Sequence, residues 1–369
     1  MILKVTVFSY IRCALIIFIT VFATSTLAAN TTTIAFGSCA SQHMPQPIWH
    51  DIAKHQPDVF LFIGDNQYAD IRVEDGKEVY APVADPKRFA QAYEELNEIE
   101  AFTAFRKQVP IFMGTWDDHD FGANDAGKDY PLKMQSQAAF LDFFKFEKDD
   151  PIRTQAGIYH SRIIEQAGAQ LQIIMLDTRY HLGERLENPK GRPQGKGPYL
   201  PQTDATQSIL GEKQWLWLEE ELKKPADIRF IVSSIQVVAF EHSWEAWGAM
   251  PRERKRLYDL VASTKANGVM FLSGDRHLME ISKDTGQLGH NVPYPLWDFT
   301  SSGLTQSFRK VDEHNSFRQG AVVRDTHYGV VTINWDPKNI MQTTIELHAL
   351  GLNQKTLEKR VVPLSTLQF

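Results

Sequence analysis

Short runs of apolar residues, each bounded by turn-forming residues, recur along much of the chain. They cover Thr33–Phe36, Val59–Ile63, Val109–Met113, Leu171–Leu176, Phe230–Val232 and Val269–Leu272. Each run is too short for a helix and has the length typical of a buried strand. The pattern therefore predicts six strands before Leu296.

Longer amphipathic stretches lie between several of these runs and predict helices. They cover Pro47–His55, Pro86–Lys107, Gly211–Lys224 and Pro251–Lys265. Alternation of strands and helices indicates an α/β fold. After about Leu296 the pattern changes to strands without helices, at Leu296–Thr300, Gly329–Trp335 and Thr343–Leu350, which would complete a sheet or form a second one.

The amino-terminal segment differs from the rest of the chain. Lys4 and Arg12 precede an apolar run from Ala14 to Phe22, and Thr26-Leu27-Ala28 resembles a cleavage site. This pattern predicts a signal peptide over residues 1–28, and hence a periplasmic or secreted protein. The alternative is a retained anchor, but the run is shorter than the roughly 20 residues that span a bilayer. We therefore expect no stable membrane span after cleavage.

The remaining residues, 29–369, are predicted to form a single domain. They contain no fixed-period repeat, low-complexity tract or Pro/Gly/Ser-rich linker. The formal net charge of the whole chain is −6, and loss of Lys4 and Arg12 makes the mature chain more acidic. This balance argues against nucleic acid held by bulk charge. Of the two cysteines, only Cys39 would remain, so no internal disulfide is expected.

Polar clusters follow immediately after five of the predicted strands. They are Gly37-Ser38-Cys39, Gly64 to Tyr68, Gly114 to Asp120, Asp177-Thr178-Arg179 and Ser273 to His277. In open α/β sheets, ligands bind beyond the carboxyl ends of the strands, so these clusters are expected to converge on one site.

The residue types in these clusters suit a two-metal phosphoesterase, which needs anionic ligands and cationic phosphate contacts. The candidate ligands are Asp65, Tyr68, Asp118, Asp275 and His277, and the candidate phosphate contacts are Arg179 and His119. Each feature alone has a simpler explanation. Gly-Asp after a strand is commonly a turn, Asp118-His119 would suit a loop or a helix N-cap, and Cys39 would suit a small buried core position.

Seven motifs in order resemble the alkaline phosphatase D (PhoD-type) family of the calcineurin-like metallophosphoesterase superfamily. They are Gly37-Ser38-Cys39, Gly-Asp-x-x-Tyr at Gly64–Tyr68, Trp116 to Asp120, Leu176 to Arg179, Gln214 to Leu218, Ser273 to His277 and Ser301 to Thr305. The resemblance implies a four-layer α/β sandwich with two central mixed β-sheets flanked by helices. It also implies hydrolysis of phosphate esters by a metal-bound water or hydroxide, in phosphate scavenging.

The resemblance implies a two-metal centre of Fe³⁺ and Ca²⁺, with other divalent metals as an alternative, and it assigns ligands by position. Cys39, Asp65, Tyr68 and His277 match the ferric side, and Asp65 bridges to a second metal held by Asp118 and Asp275. The same resemblance makes His119 and Arg179 phosphate contacts, with Asn124 assisting the second metal or the phosphate. Gln236 is a further candidate oxygen donor.

Several alternatives stay open at this point. The substrate is a small-molecule phosphate ester or a lipid, and monoesterase, phosphodiesterase, phospholipase and nucleotide diesterase activities share one metal core. A non-catalytic phosphate-binding envelope protein is a further alternative. Arg276 stands where the family more often has a small apolar residue. Trp244 and Trp247 would line a leaving-group pocket or pack in the core. The oligomeric state is not predicted.

Overall fold

The structure is a computed structural model that describes residues 30–74, 77–307 and 313–369. The predicted signal peptide, residues 1–28, lies outside the described residues. Within the described part of the chain, no helix has both the length and the apolar character needed to cross a membrane.

Sixteen strands and seven α-helices are found in the described residues. The strands are β1 (Thr31–Gly37), β2 (Val59–Ile63), β3 (Ile71–Glu74), β4 (Lys77–Tyr80), β5 (Ile111–Thr115), β6 (His160–Gln166), β7 (Ala169–Met175), β8 (Leu186–Glu187), β9 (Tyr199–Leu200), β10 (Ile228–Ser233), β11 (Val269–Ser273), β12 (Met279–Asp284), β13 (Leu296–Ser301), β14 (His327–Asn334), β15 (Thr344–Gly351) and β16 (Thr356–Pro363). The helices are α1 (Ile48–Ala53), α2 (Lys87–Glu98), α3 (Glu100–Gln108), α4 (Asp118–Phe121), α5 (Lys133–Phe143), α6 (Gly211–Lys223) and α7 (Pro251–Thr264).

Two six-stranded mixed sheets form the centre of the protein. The first has the order β16-β15-β14-β1-β2-β5, in which β1, β2 and β5 are parallel and the other pairs are antiparallel. The second has the order β12-β13-β11-β10-β7-β6, in which β13, β11, β10 and β7 are parallel. The parallel strands of each sheet thus end at a common edge.

Alternating side chains of the first sheet face two different apolar cores. Val59, Leu61 and Ile63 of β2 pack with the second sheet, where α6 and α7 also pack. Phe60 and Phe62 pack instead with α1, α2, α3 and α5. Phe36 of β1 and Phe299 of β13, with ring centroids 5.0 Å apart, join the sheets. The layers therefore run helices, sheet, sheet, helices, and the predicted fold class is confirmed.

The predicted strands and helices are largely present, with one correction. The stretch Pro86–Lys107, predicted as one helix, is two, because Ile99 between α2 and α3 has extended backbone angles (φ −71°, ψ 106°). The elements that were not predicted from the sequence pattern are helices α4 and α5 and strands β3, β4, β6, β8, β9, β12 and β16.

Candidate metal centre and active site

The predicted site residues follow the ends of parallel strands in both sheets. Cys39 follows β1, Asp65 follows β2 and Asp118 follows β5, while Arg179 follows β7 and His277 follows β11. All five are buried or nearly buried. The two sheets therefore present their polar loops at a shared edge.

Four of the predicted ligands have a left-handed backbone. The φ angles are 63° at Cys39, 45° at Asp65, 69° at Asp275 and 51° at His277. Residues with a Cβ adopt this region rarely, and such strain concentrates at functional sites because the surrounding structure must enforce it. Each strand therefore turns sharply at the residue whose side chain is a candidate ligand.

Gly274 lets the loops of the two sheets approach each other closely. A Cβ at this position would lie 2.6 Å from Oγ of Ser38 and 3.0 Å from the carbonyl oxygens of Ile63 and Ser234. Backbone oxygens at that distance leave no room for a side chain. Glycine is thus required for Asp275 and His277 to reach the residues that follow β1 and β2.

The first group of candidate ligands consists of Cys39, Asp65 and His277, whose ligand atoms lie within 4.8 Å of one another. Sγ of Cys39 lies 3.4 Å from Oδ2 of Asp65. The Tyr68 hydroxyl donates to the same Oδ2 at 3.4 Å and lies 3.4 Å from Nε2 of His277. The four ligands assigned to the ferric side are thus within contact distance of each other.

The second group consists of Asp65, Asp118 and His119, again with ligand atoms within 4.8 Å. The backbone N–H of His119 donates to Oδ1 of Asp65 at 3.3 Å and to Oδ1 of Asp118 at 3.0 Å. Asp65 belongs to both groups. One carboxylate therefore joins two candidate cation sites.

The charge balance of the site fits bound cations. Burial raises the pKa of Asp65 well above its usual range, and Asp118 and Asp117 add to the rise. Burial likewise raises the pKa of Asp275, to which Asp117 and Asp118 also contribute. Carboxylates this close and this buried are costly to ionise unless a cation compensates them. The donor set of thiol, phenol, imidazole and carboxylates therefore fits a metal centre.

His119 is held by a carboxylate that the sequence analysis did not identify. Its Nδ1 lies 2.9 Å from Oδ1 of Asp70, and its ring stacks on Tyr68 with centroids 4.3 Å apart. Burial acts against a charged ring, but Asp118 and Asp65 outweigh it and raise the pKa of His119 well above its usual range. With Nδ1 bound to Asp70, Nε2 is left to donate to a phosphate oxygen when the ring is charged, or to bind a metal when the ring is neutral.

Arg179 is fully buried and ion-paired. Its guanidinium contacts Asp117 and Glu245, and its Nη1 lies 3.4 Å from the carbonyl oxygen of Ala126. Although burial acts against the charge, Asp117 and Asp118 raise the pKa of Arg179. The arginine thus lies beside the cluster, with two carboxylates fixing its orientation.

The motif Ser301 to Thr305 supports the loop that carries Cys39. The Ser302 Oγ lies 3.3 Å from Sγ of Cys39 and accepts from the backbone N–H of His277 at 2.8 Å. Thr305 donates through its hydroxyl to the carbonyl oxygen of Cys39 at 2.9 Å. The Ser302 N–H in turn donates to Nε2 of His327 at 3.1 Å. This motif therefore orients two candidate ligands without supplying one.

The remaining predicted residues lie at the margin of this cluster. Asp275 is in neither ligand group. Its Oδ2 lies 3.7 Å from Nη1 of Arg276. Asn124 is exposed in the turn after α4, whereas its neighbour Asp125 donates its backbone N–H to Oδ2 of Asp118 at 2.7 Å. Gln236 is buried, and its amide nitrogen donates to Glu280 at 2.8 Å.

The two tryptophans weighed as pocket residues have different surroundings. Trp247 is fully buried and its Nε1 donates to the Ser233 hydroxyl at 2.9 Å, so it belongs to the core. Trp244 is only partly buried and lines a cavity. The guanidinium of Arg276 lies over its ring, 4.8 Å from the centroid, and also pairs with Glu313.

Comparisons with known proteins show which proteins this chain is similar to. A family model described as PhoD-like phosphatase matches residues 34–345. Alkaline phosphatase D of Bacillus subtilis (strain 168) is 24% identical over 278 residues, which cover 66% of this chain and 46% of the relative. The chain thus spans about half the length of that curated relative.

Two solved structures are similar in fold. The structure titled "Structure of PhoD" has a TM-score of 0.66 at 17% identity, covering 90% of this chain and 68% of its own. The purple acid phosphatase PPD1 from yellow lupin (Lupinus luteus) seeds has a TM-score of 0.55 at 12% identity, covering 91% and 54%. At these identities the likeness concerns the fold alone.

Proposed function

The chain belongs to the PhoD-like phosphatase family, and from this premise we propose that it hydrolyses phosphate esters at the two ligand groups that share Asp65. The shared carboxylate is the observation that carries the proposal. Two-metal hydrolases hold their cations about 3.5–4 Å apart, and a single bridging carboxylate can set that spacing. Here the buried Asp65 belongs to both groups, and within each group the ligand atoms lie within 4.8 Å of one another.

We assign Cys39, Asp65, Tyr68 and His277 to ferric iron, and Asp65, Asp118 and Asp275 to calcium, with His119 left to bind the phosphate. Thiolate, phenolate and imidazole donors such as Cys39, Tyr68 and His277 suit a transition metal, whereas carboxylates such as Asp118 and Asp275 suit a hard cation. When bound, such cations polarise the ester and activate water at neutral pH. The ligand partition rests on donor chemistry and on the motif positions.

The residues of the chain itself bind and orient the phosphate in this proposal. His119, charged and fixed by Asp70, directs Nε2 toward the phosphate oxygens. Arg179 adds a second positive charge whose direction Asp117 and Glu245 fix. The charged side chains of His119 and Arg179 both lie beside Asp118 in a buried site, where charge interactions are strong. Asn124 remains a proposed substrate contact from the turn after α4.

We further propose that the protein acts outside the cytoplasm, in phosphate scavenging. The amino-terminal pattern of Lys4 and Arg12 before an apolar run supports export. The acidic net charge supports a small-molecule ester rather than nucleic acid as substrate. Both monoesters and diesters are compatible with the same cluster.

Hydrolysis of p-nitrophenyl phosphate and bis(p-nitrophenyl) phosphate tests the proposal. We expect release of p-nitrophenol from at least one ester, its loss after chelation and its return when iron and calcium are added together. The rate of His119→Asn should be at least 100-fold lower than that of wild type. His348→Asn, which changes a histidine of β15 that belongs to neither ligand group, should match wild type. Absence of hydrolysis of both esters by metal-loaded protein would contradict the proposal.

A further inference from the structure

A cavity of about 300 Å³ has three aromatic residues in its wall, and two of them are connected through one intervening residue to the proposed ligands Asp118 and Asp275. Tyr199, Phe240 and Trp244 line it together with Lys196. Resting on the proposed function, we propose that this cavity binds the leaving group of the substrate, and that the leaving group carries a planar aromatic ring system, as a nucleoside does. The substrate class would then be nucleoside phosphate esters.

Two contacts connect the cavity to the proposed metal ligands. The Tyr199 hydroxyl donates to the Asp125 carboxylate, and the backbone N–H of Asp125 donates to Asp118. On the other wall, Arg276 lies over the Trp244 ring and 3.7 Å from Asp275. A single intervening residue thus connects Asp118 to Tyr199, and another connects Asp275 to Trp244. A leaving group departing from phosphorus at the metal centre would have this cavity beside it.

The cavity wall is chemically suited to a base rather than to an alkyl chain. Three aromatic side chains line the cavity, and a guanidinium group lies over each ring, with Arg185 5.1 Å from the Tyr199 centroid and Arg254 4.4 Å from the Phe240 centroid. A base would stack on the faces and edges that these groups leave open, and such stacking is tolerant of the base's identity. The guanidinium groups of Arg192 and Arg276 lie 4.7 and 4.8 Å from the Trp244 ring centroid. Lys196 and Glu241 also line the cavity, and Arg276 pairs with Glu313, so groups of both charges surround it. The volume is at the lower end of small-molecule sites, about 300–1,000 Å³, and suits one nucleoside rather than a diacyl lipid.

Backbone contacts give the cavity a fixed shape. The N–H groups of Gly197 and Tyr199 donate to the carbonyl oxygens of His242 and Ser243 at 2.8 and 3.0 Å. A Cβ on Gly197 would lie 2.3 Å from the Ser243 oxygen, so only glycine permits this approach. The segment carrying Tyr199 is therefore fastened to the segment carrying Trp244. A preformed site loses less conformational entropy on binding.

Paired substrates test the proposal in the metal-loaded, full-length protein. Adenosine 5′-phosphate and glycerol 3-phosphate are compared as monoesters, and their methyl esters as diesters. Wild type is expected to show a kcat/KM at least tenfold higher for the adenosine member of the hydrolysed pair. Trp244→Leu and, separately, Phe240→Leu should remove that advantage and leave the glycerol ester within twofold. Trp217→Leu, a partly buried tryptophan on α6 that packs against Tyr159, is the matched control.

Calorimetric titration with adenosine alone separates the subsite from the catalysis. Binding to wild type that is lost in both cavity variants supports the subsite, even if neither ester is hydrolysed and the proposed function fails. Hydrolysis of both esters at equal kcat/KM, or an equal loss for both in the cavity variants, overturns the subsite while the proposed function stands. Failure of adenosine to bind wild type also overturns it.

Discussion

Sγ of Cys39 lies 3.4 Å from Oδ2 of Asp65, although the two residues are 26 positions apart and follow different strands. Both have a left-handed backbone, at φ 63° and 45°. Neighbouring parallel strands β1 and β2 bring them together, and the turn after each strand directs the side chains at one another. This contact links the buried Cys39 thiol to the carboxylate that both ligand groups share.

Replacing Asp70 tests whether His119 acts through its carboxylate partner. Asp70→Asn keeps an oxygen near Nδ1 but removes the charge that favours the imidazolium. We expect kcat/KM to fall about 10- to 100-fold, as for other partners that orient a functional histidine, with metal content unchanged. Asp204→Asn, at an exposed position, is the control. A rate equal to wild type would show that Asp70 does not position His119.

Replacing Arg179 tests two roles of one buried guanidinium. Arg179→Lys keeps the charge but cannot give the planar paired contacts to Asp117 and Glu245. We expect the free energy of unfolding to fall by up to about 3 kcal/mol and the rate to fall at least tenfold. Denaturant unfolding and steady-state kinetics measure the two effects.

Arg256→Lys provides the matched comparison for Arg179. Arg256 pairs with Glu212 in an exposed position, where such a change costs about 1 kcal/mol or less. A folded Arg179→Lys protein with an unchanged rate would exclude the phosphate contact. An unchanged unfolding free energy would show that the ion pairs add nothing to stability.

Because His327 is buried, we expect the free energy of unfolding to fall in acid. Burial lowers the pKa of His327 to about 4, against an ordinary value near 6.5, so the unfolded chain binds the proton more readily. The stability contributed by neutral His327 is present above pH 6.5 and is lost as pH falls toward 4. Between pH 7 and pH 5 we expect about 2 kcal/mol of destabilisation from this residue.

His327→Gln should weaken that pH dependence, since an amide oxygen can accept from the Ser302 N–H without titrating. Urea unfolding of wild type and variant at pH 7 and pH 5 measures the difference. His348→Gln, which is only partly buried, serves as control. The same pH dependence in wild type and His327→Gln would assign the acid loss to other groups.

Cys39→Ser distinguishes a thiolate ligand from a core thiol. If Cys39 binds ferric iron beside Tyr68, the purified protein is coloured by charge transfer, and the variant loses iron and visible absorbance together. A serine hydroxyl is a poor substitute for a thiolate but fills almost the same space. Both proteins are isolated without chelator and compared for iron content and spectrum. Equal iron in the two would leave Cys39 with a structural role only.

Much of the site followed from the positions of side chains relative to the strands. Asp65 and Cys39 directly follow short apolar runs, and the carboxyl ends of parallel strands must share an edge. Asp70, Glu245 and Ser302 were not predicted as supporting residues, because their role depends on contacts between distant segments. Asp70 follows Tyr68 by two positions, and that proximity was the only local signal.

The missed elements have a physical explanation as well. The apolar residues of α5 are spread around the helix instead of along one face, so its sequence lacks the usual period. The break between α2 and α3 at Ile99 has neither glycine nor proline to announce it. Half of the residues of strand β16 are polar, and the strand lies at a sheet edge, where one paired side suffices.

Metal content and turnover of Asp65→Ala, measured together on folded protein, test the shared carboxylate most directly. Asp65 has ligand atoms of both candidate groups within 4.8 Å, so its removal should release metal and reduce phosphate-ester hydrolysis at least 1,000-fold. Elemental analysis and p-nitrophenol release are compared with wild type, with circular dichroism to verify folding. The predicted result is joint loss of metal and activity. A folded Asp65→Ala protein with wild-type turnover would contradict a two-metal site joined by this residue.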